Sequence, residues 1–288
     1  MRQARLLLGW IDDEPAAQML NAQQIGVPLS NEQRNRLNQA RASVAGRPAR
    51  VEPANQIQPA PVELQGHIAT LQQPGVAQAY WNEGWQVVLA DLREIRAIQP
   101  HIYSDHSEER VAVIDPNDLS SVATVTLPLP TPTNLPAQFD SQRQAWMISA
   151  ANLNLQITGS WGGPIQMGAQ PGVVQTGPVV GFGFTVAITP SFLQVAKFRG
   201  QLILRDGYHR AYGLLRRGIS IVPALYREFA PHAELGVGPM GLLSASAYLG
   251  NRPPLLTDYY DDNVSIEVTL PAPRKIIVIP GLQLIENT

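Results

Sequence analysis

His209 and Arg210 follow Gly207 closely in the run Ile203-Leu204-Arg205-Asp206-Gly207-Tyr208-His209-Arg210. Leu202 to Leu204 predict a buried strand, and Ala211, Leu214 and Leu215 recur at helical spacing, so the turn between them opens a helix. Unpaired first-turn amides and the positive end of the helix dipole attract anions. A glycine lets backbone approach a ligand closely, and His209 and Arg210 add side-chain donors at the same point. Asp206 is the expected N-cap and Gly218 the expected left-handed terminator. The chemistry this predicts is phosphate or nucleotide binding by Arg205, Asp206, Gly207, Tyr208, His209, Arg210 and Arg216. Hydrolysis or phosphoryl transfer would also need a group to orient or deprotonate the acceptor, and His209, Glu108 and Glu109 are the candidates. The competing reading treats Glu108 and Glu109 as solvated charges, and Asp206 and Arg210 as a cap and its ion-pair partner.

Other motifs carry less. Gly236-Val237-Gly238-Pro239-Met240-Gly241 has the spacing of a dinucleotide loop, but Pro231-His232-Ala233-Glu234 ahead of it is no hydrophobic strand. Neither lysine, Lys197 or Lys275, stands in a Walker A pattern. His101, Asp105 and His106 contain metal-ligand types without a fixed further ligand, and read as a polar turn. Asp258, Asp261 and Asp262 read as a loop that could hold a cation. Trp161 and Phe182-Gly183-Phe184 are expected in the core of a β-rich segment.

The elements that must position these residues are mixed. Ser30 and Gln33 have capping-box spacing ahead of a helix-like run, while Leu6, Leu7, Leu8, Trp10 and Ile11 suggest an apolar helical arm. Residues 47–61 read as an extended Pro-rich linker. A helix over 67–81 is interrupted at Pro74-Gly75. Strands are expected at Trp85–Leu89, Val111–Ile114, Val122–Leu129, Phe182–Ile188, Phe192–Phe198, Ile219–Leu225, Val264–Leu270 and Lys275–Ile279. Gly159 to Gly183 reads as loops or hairpins, and Leu242–Leu249 as a helix.

Composition bounds the function classes. With 288 residues and 44% hydrophobic side chains the chain can bury a sizeable core. No cysteine is present, which excludes disulfides, zinc-thiolate sites, iron–sulfur clusters and thiol nucleophiles. The formal charge of -2 gives no global attraction to nucleic acid. The uncharged stretch Ala145–Ala196 is too broken by Gly, Pro, Asn and Gln to span a bilayer, and Asp12-Asp13-Glu14 interrupts the N-terminal leucines too early for a signal peptide. The expected setting is the cytoplasm, without membrane contact. The preference for arginine over lysine fits a GC-rich bacterial genome.

Asp206-Gly207-Tyr208-His209-Arg210-Ala211-Tyr212, with Gly218-Ile219 and Val222-Pro223-Ala224 behind it, resembles the Gly-[Glu/His/Cys]-x-Arg box of the ParB/sulfiredoxin superfamily. Members with a DGHHR or DGQHR turn are nearest in wording. Leu92 to Gln99-Pro100, followed by Tyr103, Asp105, Glu108, Glu109 and Val111, resembles the upstream box of the same family. The resemblance implies a nucleoside triphosphate (CTP, ATP or GTP) as ligand, Mg2+ as its companion, and hydrolysis, phosphoryl transfer or switching as the outcome. It also suggests a DNA-associated role, against which the weak charge and the lack of a helix-turn-helix pattern count. Without cysteine, sulfiredoxin chemistry is excluded. A non-catalytic interaction protein built on the same scaffold is the alternative, with a protein partner or self-association through residues 1–60. The expected fold is α+β, a ParB/sulfiredoxin-like mixed core with a β-rich insertion and a helical arm. Its parts are a helical arm and Pro-rich linker at 1–60, core at 61–114, insertion at 115–190, and core with C-terminal strands at 191–288.

Overall fold

A computed structural model describes residues 1–53, 57–74, 76–130, 135–150, 154–165, 179–235 and 242–280. The fold is α+β and divides into two compact units, Met1–Leu129 with Ser191–Ala272, and Pro130–Pro190 with Pro273–Thr288. In the first unit the chain forms β1 (Arg2–Leu6), α1 (Asp13–Leu20), α2 (Asn31–Ala45), β2 (Ile57–Pro59), α3 (Gln65–Leu71), α4 (Gln78–Asn82), β3 (Gln86–Asp91), β4 (His101–Tyr103), α5 (Ser104–Val111) and α6 (Leu119–Thr126). The second unit contributes β5 (Ala137–Asp140), β6 (Ala145–Ala150), β7 (Leu155–Ile165) and β8 (Val179–Ile188). The first unit resumes with β9 (Gln194–Phe198), β10 (Gln201–Asp206), α7 (Tyr208–Arg216), β11 (Ile221–Phe229), α8 (Ala245–Tyr248) and β12 (Ile266–Leu270), and β13 (Lys275–Pro280) returns to the second.

Two sheets organise the first unit, one in the order β10-β9-β11-β3-β2 and one in the order β12-β1-β4. The β9–β10 hairpin turns on Arg199 and Gly200, both at positive φ (51° and 79°), as a two-residue connection matched to strand twist requires. Its strands are apolar on both faces: Val195, Ala196, Phe198, Leu202, Ile203 and Leu204 are all buried. α2 begins at the expected capping box, where Ser30 Oγ accepts the Gln33 N–H at 3.1 Å and Gln33 Oε1 accepts the Ser30 N–H at 2.8 Å.

Several sequence expectations are corrected. Residues 2–6 are a strand rather than part of a helical arm, and Leu8–Trp10 form a single 3-10 turn. Leu6, Leu7, Leu8, Trp10 and Ile11 are buried in the main core, so the N-terminus is body rather than free arm. Its partner strand pairs Arg2 with Leu270 across nearly the whole chain, a contact that local periodicity does not encode. The expected linker contains β2, paired with β3. Val111 ends α5 and Val122 lies inside α6, where Asp118 caps the helix by accepting the Ser120 N–H at 2.9 Å. Residues 115–129 thus belong to the first unit.

In the second unit β13, β6 and β5 form one antiparallel sheet, and β7 and β8 a long hairpin. Trp161 and Phe182 are 57% and 73% exposed, against the expectation of a core role. Trp161 lies across Gly183, where an added Cβ would come within 2.5 Å of the indole. The Pro271-Ala272-Pro273 connection separates β12 and β13 into different sheets.

Candidate functional site

The turn after β10 is built one residue later than the sequence suggests. Gly207, not Asp206, occupies the N-cap of α7, with φ 96° and ψ 18°. The Asp206 carboxylate instead accepts the Gly207 N–H at 2.6 Å and the Ser191 hydroxyl at 2.8 Å. Glycine is required here twice over, because the backbone is left-handed and an added Cβ would sit 2.9 Å from Leu193 Cα. The close approach at this glycine is therefore to protein.

Tyr208 and Arg210 point inward. The Tyr208 hydroxyl accepts the Ile98 N–H at 2.8 Å and donates to the Leu204 carbonyl, and burial pushes its pKa well up. Arg210 is 5% exposed. Its guanidinium donates to the Val125 carbonyl at 3.1 Å, to the Ser191 hydroxyl at 2.8 Å and to the Ser191 carbonyl. Burial lowers its pKa to about 10, so it stays cationic at neutral pH. Val125 lies in the last turn of α6, whose carbonyls lack helical partners, and a buried cation there satisfies both the hydrogen-bond need and the dipole.

His209 faces a different neighbourhood. The Tyr103 ring stacks on it at 5.8 Å with an interplanar angle of 6°, and His106 meets it edge-on at 5.1 Å. His209 Nε2 is buried without a hydrogen-bond partner, as is Nδ1 of nearby His101. Burial, reinforced by His106 and Arg110, lowers the His209 pKa to about 3, and burial lowers that of His101. Arg110 Nε donates to His106 Nε2 at 3.2 Å, which leaves His106 Nδ1 to donate to Glu109 at 3.2 Å. As the first three residues of α7, Tyr208, His209 and Arg210 have backbone N–H groups with no acceptor within the helix.

The remaining predicted site residues disperse. Arg205 lies over the rings of Trp85 and Phe229, at 5.4 Å and 5.8 Å. Arg216 ends α7, about 12 Å along the axis from its start, and pairs with Glu108 at 3.4 Å. Glu109 pairs with Arg2 at 3.2 Å, and its hydrogen bond to His106, joined by Arg2, lowers its pKa. Gly213 is packed so closely that an added Cβ would lie 2.7 Å from the Ser107 carbonyl. No group of three His, Asp or Glu side chains among the described residues is placed to hold a metal ion, so His101, Asp105 and His106 do not form one. Asp258 and Asp261 grip Arg47 at 2.9 Å and 2.8 Å, and Asp262 grips Arg5 at 2.6 Å. The glycine-rich 236–241 run lies outside the described residues.

The two separated motifs do meet. Arg96 donates its N–H to the Leu202 carbonyl at 2.9 Å and accepts the Leu204 N–H at 3.0 Å, forming a parallel bridge beside β10. Two positions on, Ile98 reaches Tyr208. Ser191, Val125 and Arg110, which with Tyr103 of the upstream motif complete the surroundings of the turn, carry no spacing signal that connects them to it.

The burial of neutral His209 makes a pH prediction. An unfolded histidine titrates near 6.5, so the unfolded chain takes up a proton as pH falls while folded His209 stays neutral until about 3. Its contribution is fully present above about pH 6.5 and is lost on acidification at up to about 1.4 kcal/mol per pH unit. Denaturation midpoints from pH 7 to 5 should fall less steeply in His209→Phe, which keeps the stacked ring but not the titration. Equal slopes would show that His209 is solvated and protonated in the folded protein.

By fold the chain is an α+β protein with a strand-turn-helix site, and no helix among the described residues is long and apolar enough to cross a membrane. No protein-family model, curated protein or solved structure matches it.

Proposed function

We propose that the first unit is a ParB/sulfiredoxin-like domain that binds a nucleotide or related phosphate compound at the start of α7. The observation that supports this reading is the buried Nε2 of His209, without a hydrogen-bond partner, beside the first-turn amides of α7, which have no acceptor within the helix. Arg110 beside them favours an anion. A neutral imidazole still offers one N–H, and an arriving phosphate would raise the His209 pKa by its charge. CTP, ATP or GTP with Mg2+ are the ligands to test. Of the three candidate catalytic groups only His209 belongs to the turn, so switching accords with the geometry better than hydrolysis or transfer.

Equilibrium binding of labelled CTP, ATP and GTP in the presence of Mg2+ tests this. One nucleotide should bind wild type saturably and His209→Ala at least about tenfold more weakly, the loss of one charge-assisted hydrogen bond. No binding by wild type at millimolar nucleotide, or equal binding by the variant, overturns it.

A second reading, a non-catalytic interaction protein on this scaffold, draws on the internal engagement of Asp206, Tyr208 and Arg210. It expects a defined oligomer that persists in His209→Ala, measured by size exclusion with light scattering. Removing residues 1–60 does not test it, since β1 is the central strand of its sheet.

A further inference from the structure

A cavity of about 590 Å³ opens in the first unit among Trp10, Asp12, Met19, Pro100, Leu243 and Tyr248. This is the size of a small-molecule site, and its wall is apolar with a few converging polar groups. We propose that it binds a small organic cation with an apolar body, a protonated amine on an aromatic or alkyl frame.

The charge argument rests on Asp12, the one carboxylate among the described lining residues, which include no lysine or arginine. Asp12 stands at the N-cap of α1, yet its carboxylate makes no capping hydrogen bond. It has no ion pair among the described residues, whereas adjacent Asp13 is held by Arg41 at 2.7 Å. Arg47 lies over the Trp10 ring at 5.2 Å, but Asp258 and Asp261 already neutralise it and it is not part of the lining. An ammonium group beside Asp12 therefore meets an uncommitted negative charge.

The rest of the wall suits the apolar body. The indole of Trp10 is fixed by its Nε1–H, which donates to the Arg252 carbonyl at 2.7 Å. Opposite polarity is available from His232 and Tyr248, whose Nε2 and hydroxyl are 2.7 Å apart with rings nearly parallel at 14°. That pair can orient a ligand without adding a carboxylate. The cavity shares no lining residue with the α7 turn, so the two sites stand or fall separately.

Phenethylamine is the probe, with phenylpropionate as the matched anion and the peptide acetyl-Phe-Lys-amide as the chain-borne cation. Saturation-transfer NMR and calorimetry on the full chain should show phenethylamine or the peptide binding, phenylpropionate failing to compete, and Asp12→Asn weakening the cation about tenfold. Asp12→Asn removes no side-chain hydrogen bond or ion pair of Asp12, and Met19→Trp, which fills the cavity, should abolish binding by a separate route. Tighter binding of the peptide assigns the cation to a protein side chain, and tighter binding of the amine assigns it to a free metabolite. No saturation transfer from either cation, equal binding of amine and acid, or an unchanged affinity in Asp12→Asn overturns the proposal.

Discussion

Replacing Arg210 by alanine should lower the stability of the first unit by about 3–5 kcal/mol, among the largest effects of any single substitution in the chain. The guanidinium serves the Val125 carbonyl, the Ser191 carbonyl and the Ser191 hydroxyl in a nearly dry environment, and its removal strands all three. It also removes the cation that Asp206 feels across the turn. Arg210→Lys should recover little, because one ammonium cannot reproduce the planar fork. Urea denaturation at unchanged slope gives the difference directly. A loss below about 1 kcal/mol would mean that water takes over the acceptors. Should such a stable variant also lose nucleotide, Arg210 would be a ligand-binding residue after all.

The second large effect belongs to Gly207. At φ 96° an alanine Cβ meets Leu193 Cα at 2.9 Å and the Leu193 side chain at 3.1 Å. Left-handed backbone costs an L-residue about 1–2 kcal/mol, and overpacking against a strand-linked neighbour adds about 1–3 kcal/mol. Gly207→Ala should therefore cost about 2–5 kcal/mol, read as a fall in the denaturation midpoint. Leu193→Ala in the same background should restore a small part of it by removing the Cγ contact, one of the three, so the two changes will not be additive. Strict additivity would place the cost in backbone conformation alone.

These two residues also show how far the sequence carries. Gly207 and Arg210 stand out from types and spacing as parts of a strand-turn-helix, and that local reading agrees with β10 and α7. Their expected role was to face a ligand, whereas Gly207 faces Leu193 and Arg210 faces the end of α6. Direction is a tertiary property: spacing tells which residues share a helix face, but not what lies opposite. The same limit explains Arg205 and Arg216. Both flank the motif in sequence, but a strand residue can point to the far side of the sheet and nine helical residues carry a side chain to the other end.

The sequence by itself determined the α+β class, the capping box of α2, the strand-turn-helix and the left-handed Gly218. Each depends on side-chain chemistry within a few residues, where caps, turns and apolar period act directly on the backbone. Only the tertiary structure decided that residues 2–6 are the strand between β12 and β4, that β12 and β13 belong to different units, and that Ile98 reaches Tyr208. Those pairings join residues that are remote along the chain. They are chosen by which buried backbone groups and apolar faces remain to be satisfied once every local element has formed.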